Sequence, residues 1–133
     1  MAQTANALLV FEPDFIANSL PMKASAEIFL GAAVGLTGGY ARQLVAADTF
    51  GGFAEQHVNN TVATDGADRI PVRASGRVSL SVASVAVTDI DKPVYASDSQ
   101  TFTLTSTGNS PIGKVFRWIS TGVCMVAFDV TNP

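Results

Sequence analysis

The sequence predicts an all-β fold, either a small β-sandwich or a partly open β-barrel, with an extended N-terminal arm and at most one short helix. Three observations lead there. From Arg69 to Ala83 the even positions Ile70, Val72, Ala74, Val78, Leu80 and Val82 are apolar while most odd ones are polar, the period of a strand with one face buried. From Glu27 onward, short β-prone stretches alternate with Gly, Asn, Asp and Ser clusters, the punctuation of a sandwich or barrel. No segment sustains a helical period, and only Ser84 to Asp89, just ahead of Pro93, offers a turn or two of helix.

Taken in order, residues 1–24 mix Leu8, Leu9, Val10, Phe11, Phe15, Ile16, Leu20 and Met22 with Pro13 and Pro21 and follow neither period, so they are expected as an extended arm. Residues 25–133 are expected as one β domain, since no linker, repeat or low-complexity tract divides them. Turns are expected at Thr37 to Gly39, Asn59 to Asn60, Asp65 to Asp68, Asp89 to Pro93, Asp98 to Ser99 and Gly108 to Pro111. Gly76 falls on the apolar parity of the Arg69 to Ala83 strand, which suits a bend, and two strands joined there would serve as well. Phe102 and Leu104 mark an alternating strand in Thr101 to Thr105, and Gly113 to Trp118 gives another. Gly122 to Val130 is apolar on both parities until Asp129, as a central strand is.

Composition narrows the function. Charged residues make up 14% of the chain, well below the usual quarter, which leaves little charge to keep a free monomer soluble and hints at oligomerisation. A net charge of −3 works against direct nucleic-acid binding, which draws its affinity from phosphate neutralisation. Cys124 is the only cysteine, so no intrachain disulfide can form, and Val123, Met125 and Val126 around it suggest a buried thiol rather than a metal ligand. No Lys or Arg precedes Lys23, and the uncharged run from Ile28 to Ala41 is 14 residues long with four glycines, so neither a secretory signal nor a membrane span is expected.

Residues that could carry chemistry do not form a recognisable constellation. His57 is the only histidine and could act as a general base, but no Ser or Cys sits in a nucleophile-elbow pattern, so a hydrolase built on it is a remote reading. Gly35, Gly38 and Gly39 lack both the Walker lysine and the dinucleotide fingerprint and read as a hairpin turn. Asp65, Asp68, Asp89 and Asp91 lack the alternating ladder of a calcium loop and read as turn formers. No cofactor and no metal are expected.

Two groups could serve binding. Arg69, Arg73 and Arg77 recur every four residues and so share the polar side of one strand, either as a docking stripe for an acidic surface or as a solvated face with cross-strand carboxylates. Trp118, Phe116 and Tyr95 could stack on sugar rings, or lie in the core or a subunit contact. The arm's apolar residues must be covered by their own domain, a sister subunit or another protein, and strand addition suits an extended arm.

From Glu27 to the end, about four fifths of the chain, the order of features resembles the tailed-phage capsid cement, or head decoration, proteins. The resemblance rests on Ile28 to Leu36 (IFLGAAVGL), Gly51 to Val58 (GGFAEQHV) with Asn59 and Asn60, and Ile70 to Leu80 (IPVRASGRVSL). It continues through Asp89 to Ser97 (DIDKPVYAS) and Ile112 to Val115 (IGKV) into Val123 to Val130 (VCMVAFDV). It implies a structural virion protein without enzymatic activity, a homotrimer on the outer surface of a phage head that clamps the major capsid protein. The capsid-binding residues expected on that reading are Leu9, Phe11, Phe15, Ile16 and Leu20 of the arm together with Arg69, Arg73 and Arg77. The alternative is a carbohydrate- or host-surface-binding β module on a virion, with Trp118 and Tyr95 stacking on a sugar.

Overall fold

A computed structural model of the chain describes residues 2–11, 16–60 and 64–131. The strands are β1 (Val10–Phe11), β2 (Ile16–Pro21), β3 (Glu27–Ile28), β4 (Ala33–Thr37), β5 (Tyr40–Gln43), β6 (Thr49–Ala54) and β7 (Val58–Asn59). They continue with β8 (Arg69–Ser81), β9 (Pro93–Asp98), β10 (Thr101–Thr103), β11 (Ser110–Ser120) and β12 (Val123–Asp129). The fold is all-β. Its only described helical element is a single 3-10 turn, Val87–Asp89, inside the segment expected to supply at most one short helix.

One antiparallel sheet runs β10-β9-β11-β12-β8-β6-β4-β5 and is not closed into a barrel, as a small sandwich requires; β3 and β7 pair separately. β8 is its spine. The alternating pattern that marks it in sequence is one unbroken strand of 13 residues, and Gly76, at φ 145, carries the chain through without a change of parity. That backbone angle is one that residues with a Cβ rarely adopt. Each half of β8 has different neighbours: Ile16–Pro21 and the end of β6 flank its first half, while β12 and β1 flank its second.

The two halves also serve two cores. Ile70 and Val72 join Met22, Ile28, Val34 and Ala41 in one cluster; Val78, Leu80 and Val82 join the larger cluster around Phe53. Phe53 is fully buried, with Phe128 edge-on at 4.9 Å and Phe50 and Phe102 at 5.5 and 6.0 Å between ring centres. β12, apolar on both parities, lies between β11 and β8, the central position its sequence predicts. Gly38 and Gly39 both have positive φ between β4 and β5, so the glycine run makes a hairpin turn.

The described part of the N-terminal arm is extended and lies on its own domain. β1 pairs with Val78 and Ser79, and β2 with Arg69 to Ser75. Residues 2–9 cross the place where the ends of the sheet approach each other, beside the bridge between Val45 and Asp98 and the bond from the Ala33 N–H to the Ser99 carbonyl (2.8 Å). Gln3, 3% exposed, is held there: its N–H donates to Gln43 Oε1 (2.6 Å) and Ser99 Oγ (3.2 Å), and its Nε2 donates to the Ala5 and Leu30 carbonyls.

Candidate functional site

The residues expected to bind a partner are dispersed rather than gathered. Leu9 packs half-buried on the larger core and Leu20 on the smaller one. Ile16 is 65% exposed on β2. Phe11 belongs to β1, with its side chain outside the description, and Phe15 lies outside the described residues altogether.

Arg69, Arg73 and Arg77 do share one parity of β8, as their spacing requires, yet each is engaged within the domain. Arg69 donates from Nε to Ser19 Oγ (3.0 Å) and from a terminal nitrogen to the Ser19 carbonyl (2.8 Å), which fastens β2. Arg73 Nε donates to Glu55 Oε1 at 2.8 Å, the carboxylate partner that a solvated face would supply. Arg77 stacks over the Phe116 ring at 4.9 Å, with the Arg117 guanidinium 5.8 Å from the same ring.

The aromatic candidates are separated as well. Tyr95 pairs with Pro111, while Trp118 stands seven residues further along β11, roughly 20 Å away at ~3.3 Å per strand residue. They cannot grip one sugar ring between them.

His57 Nε2 lies 2.8 Å from Glu27 Oε2, and the imidazole stacks on Phe29 with ring centres 4.5 Å apart. Among the described residues no hydroxyl or thiol hydrogen-bonds to it. Cys124 is fully buried in the larger core, where burial, with the Asp89 charge as a lesser cause, pushes its thiol up to about 11. A thiol held protonated in this way is a packing group, not a nucleophile at neutral pH.

Asp65 and Asp89 serve turns. Asp65 Oδ1 accepts the Ala24 N–H at 2.7 Å. Asp89 accepts the Lys92 ammonium (2.7 Å) and the Ala86 N–H (2.8 Å), which together hold its carboxyl below the ordinary range. Among the described residues no three metal-ligating side chains converge.

The sequence marks Phe116 and Trp118 as candidates, but not that they share the outer edge of β11 with Ile119. β9 pairs with it only as far as Lys114, and the last bonds on that side join Val115 to Lys92 and Asp91. Beyond them, among the described residues, no strand covers the edge. Phe116, Trp118 and Ile119 are 43%, 36% and 45% exposed there, and the adjoining turn adds the exposed Val87 and Ile90. Register shifts at Phe116 and Ile119 accompany this: each inserts a residue against β12, and the burial that still holds Ile112 and Val115 gives way to five exposed residues, Phe116 to Ser120. A bare apolar edge is a place where another chain can attach.

Comparison with known proteins finds no family model that matches the chain and no similar protein among those whose function has been curated.

Proposed function

We propose that the protein is a structural component of a phage particle: a decoration protein that binds the outer surface of the head, as a homotrimer, and stabilises the shell of major capsid protein. The observation that carries this reading is the uncovered β11 edge, with Phe116, Trp118 and Ile119 exposed on a domain of low charge. Such a surface works by contact with protein. The order of sequence features from Glu27 onward supports the same assignment. A symmetric trimer multiplies a modest contact into stable attachment, because each further subunit binds at the effective concentration set by the first. The acidic net charge suits an outer surface that need not touch packaged nucleic acid.

The test is cosedimentation of the full-length protein with expanded heads that lack it, beside a chain starting at Met22 and a Trp118→Ala variant. Saturable binding that weakens at least about tenfold in Trp118→Ala, a loss of about 1.4 kcal/mol, supports the assignment. Absence of binding by the full-length protein removes it. The exposed Trp118 ring also favours a second reading, a carbohydrate- or host-surface-binding module, and a glycan-dependent change in Trp118 fluorescence without head binding would select that one.

A further inference from the structure

Two cations flank an alanine on the face of the sheet opposite the core. Ala127 on β12 pairs with Arg77 on β8 and, on its other side, with Lys114 on β11. Cross-strand partners point to the same face and neighbouring strands lie ~4.8 Å apart, so Arg77 and Lys114 rise roughly 10 Å apart with only a methyl group between them. In the next row Met125 pairs with Ser79 and with Arg117, which places the Arg117 side chain on that face as well.

Phe116 ties the group together. It is the extra residue of the register shift between Val115 and Arg117, and its half-exposed ring lies 4.9 Å from the Arg77 guanidinium and 5.8 Å from that of Arg117. Stacking uses the flat face of a guanidinium and fixes its plane, while the N–H donors stay along its rim. The basic stripe expected along β8 thus becomes a group across strands. Arg69 and Arg73 turn to Ser19 and Glu55, whereas Arg77 joins Lys114 and Arg117 of β11.

Elsewhere cations meet carboxylates of the same domain: Arg42 with Asp48 at 2.8 Å, Arg73 with Glu55 at 2.8 Å and Lys92 with Asp89 at 2.7 Å. Lys114, which is exposed, forms no ion pair among the described residues. A cleft of about 340 Å³ opens beside it, lined by Gly113, Lys114, Ala127, Phe128 and Asp129. The carboxylate in that lining is engaged by its own turn, since Asp129 Oδ1 accepts the Thr131 N–H (2.9 Å) and hydroxyl (2.7 Å).

We propose that this face docks an acidic segment of a partner protein, with a carboxylate seated over Ala127 beside Lys114 and Arg77 and a neighbouring apolar side chain laid on Phe116. Charge complementarity selects the carboxylate, because three cations gather here on a chain of net charge −3. The exposed ring selects a polypeptide, because a bare inorganic anion would leave Phe116 in water. A nucleic acid would be repelled by the rest of the molecule, and so few cations would release few counterions. The inference holds whether or not the partner is a capsid shell.

The test uses the full-length protein labelled with 15N and the N-acetylated, C-amidated peptide Ser-Leu-Glu-Phe-Ser, with Gln in place of Glu as the control. Saturable shifts are expected at the Lys114 and Ala127 amides and at the Nε–H groups of Arg77 and Arg117 at millimolar peptide. Affinity should fall at least about tenfold with the Gln peptide and at least about threefold between roughly 20 and 200 mM salt. Lys114→Gln should weaken binding at least about threefold, and Ala127→Leu, which fills the seat and keeps every charge, at least about tenfold. Equal binding of the Gln peptide, or by Lys114→Gln, overturns the proposal in favour of a plain apolar patch. Sodium acetate that moves the same signals at the same concentration overturns it in favour of a bare anion site. Absence of any shift at Lys114 with the acidic peptide also overturns it. Heads that bind the protein while the peptide does not would leave the head assignment standing and remove this one.

Discussion

Gln43 grips Gln3 by both main-chain groups: its Oε1 accepts the Gln3 N–H at 2.6 Å and its Nε2 donates to the Gln3 carbonyl at 2.9 Å. One side-chain carboxamide thus does for the N-terminal segment what a neighbouring strand would do. The same Oε1 accepts from Ser99 Oγ (2.8 Å) and the same Nε2 donates to the Glu27 carbonyl (3.1 Å), so one side chain joins β5, the β9–β10 turn, β3 and the arm.

Gln43→Ala should therefore release residues 2–9 and cost about 2–3 kcal/mol, because Gln3 and Ser99 are left with buried polar groups lacking partners. Urea denaturation gives the energy, and limited proteolysis should cut before Val10 in the variant while the remainder resists. Gln43→Glu should behave similarly, since a carboxylate cannot donate to the Gln3 and Glu27 carbonyls. An unchanged denaturation midpoint together with an uncut N-terminus would refute the anchoring role.

Gly52→Ala should be among the most damaging small substitutions. Gly52 has φ 113, and a Cβ there would press on the Arg73 carbonyl oxygen and meet Val72 Cβ at 3.4 Å, at the point where β6 joins β8. A cost above about 2 kcal/mol is expected from strain and overpacking together. Gly38→Ala, with open space around it and strain alone, provides the comparison and should cost about 1 kcal/mol.

Phe53→Ala should cost about 3–5 kcal/mol, since its ring is fully buried at the meeting point of three other phenylalanines. Trp118→Ala, by contrast, should change stability by no more than about 0.5 kcal/mol for a side chain that is 36% exposed at an uncovered edge. Thermal melts of the two variants separate a packing residue from a surface one, and a large loss in Trp118→Ala would make its ring part of the core.

Stability should fall at both ends of the pH scale for identifiable reasons. Lys92, then the Ala86 N–H, holds the Asp89 carboxyl below its ordinary 3.8, so the stabilisation is present above that value and is lost as pH falls through the lower folded pKa. Asp129, lowered by the Thr131 hydroxyl and N–H, acts in the same direction. Burial raises the Cys124 thiol from 9.0 to about 11, so the folded state holds that proton more tightly and stability is lost as pH rises between those values. Denaturation midpoints across this range should fall less steeply in Cys124→Ala, and the folded wild-type thiol should resist iodoacetamide near neutral pH. Rapid alkylation there would contradict its burial.

What the sequence determined by itself was whatever short-range periodicity encodes. The parity of β8 placed Ile70, Val72, Val78, Leu80 and Val82 inward and the three arginines on the other side, and the doubly apolar run Val123 to Val130 marked a central strand. Gly38 and Gly39 announced their turn because only that residue type takes such angles without cost. These features depend on a residue and its near neighbours.

Tertiary structure alone decided where the arm lies, because a segment without a period carries no address: β1 and β2 found theirs on β8, and Gln3 found Gln43 forty residues away. It also decided the candidate surfaces. The uncovered edge of β11 exists because β9 stops pairing at Lys114 and two register shifts accompany the exposure of Phe116, Trp118 and Ile119. An aromatic reads the same in sequence whether its strand edge is paired or bare, since the partner that settles it comes from a distant part of the chain.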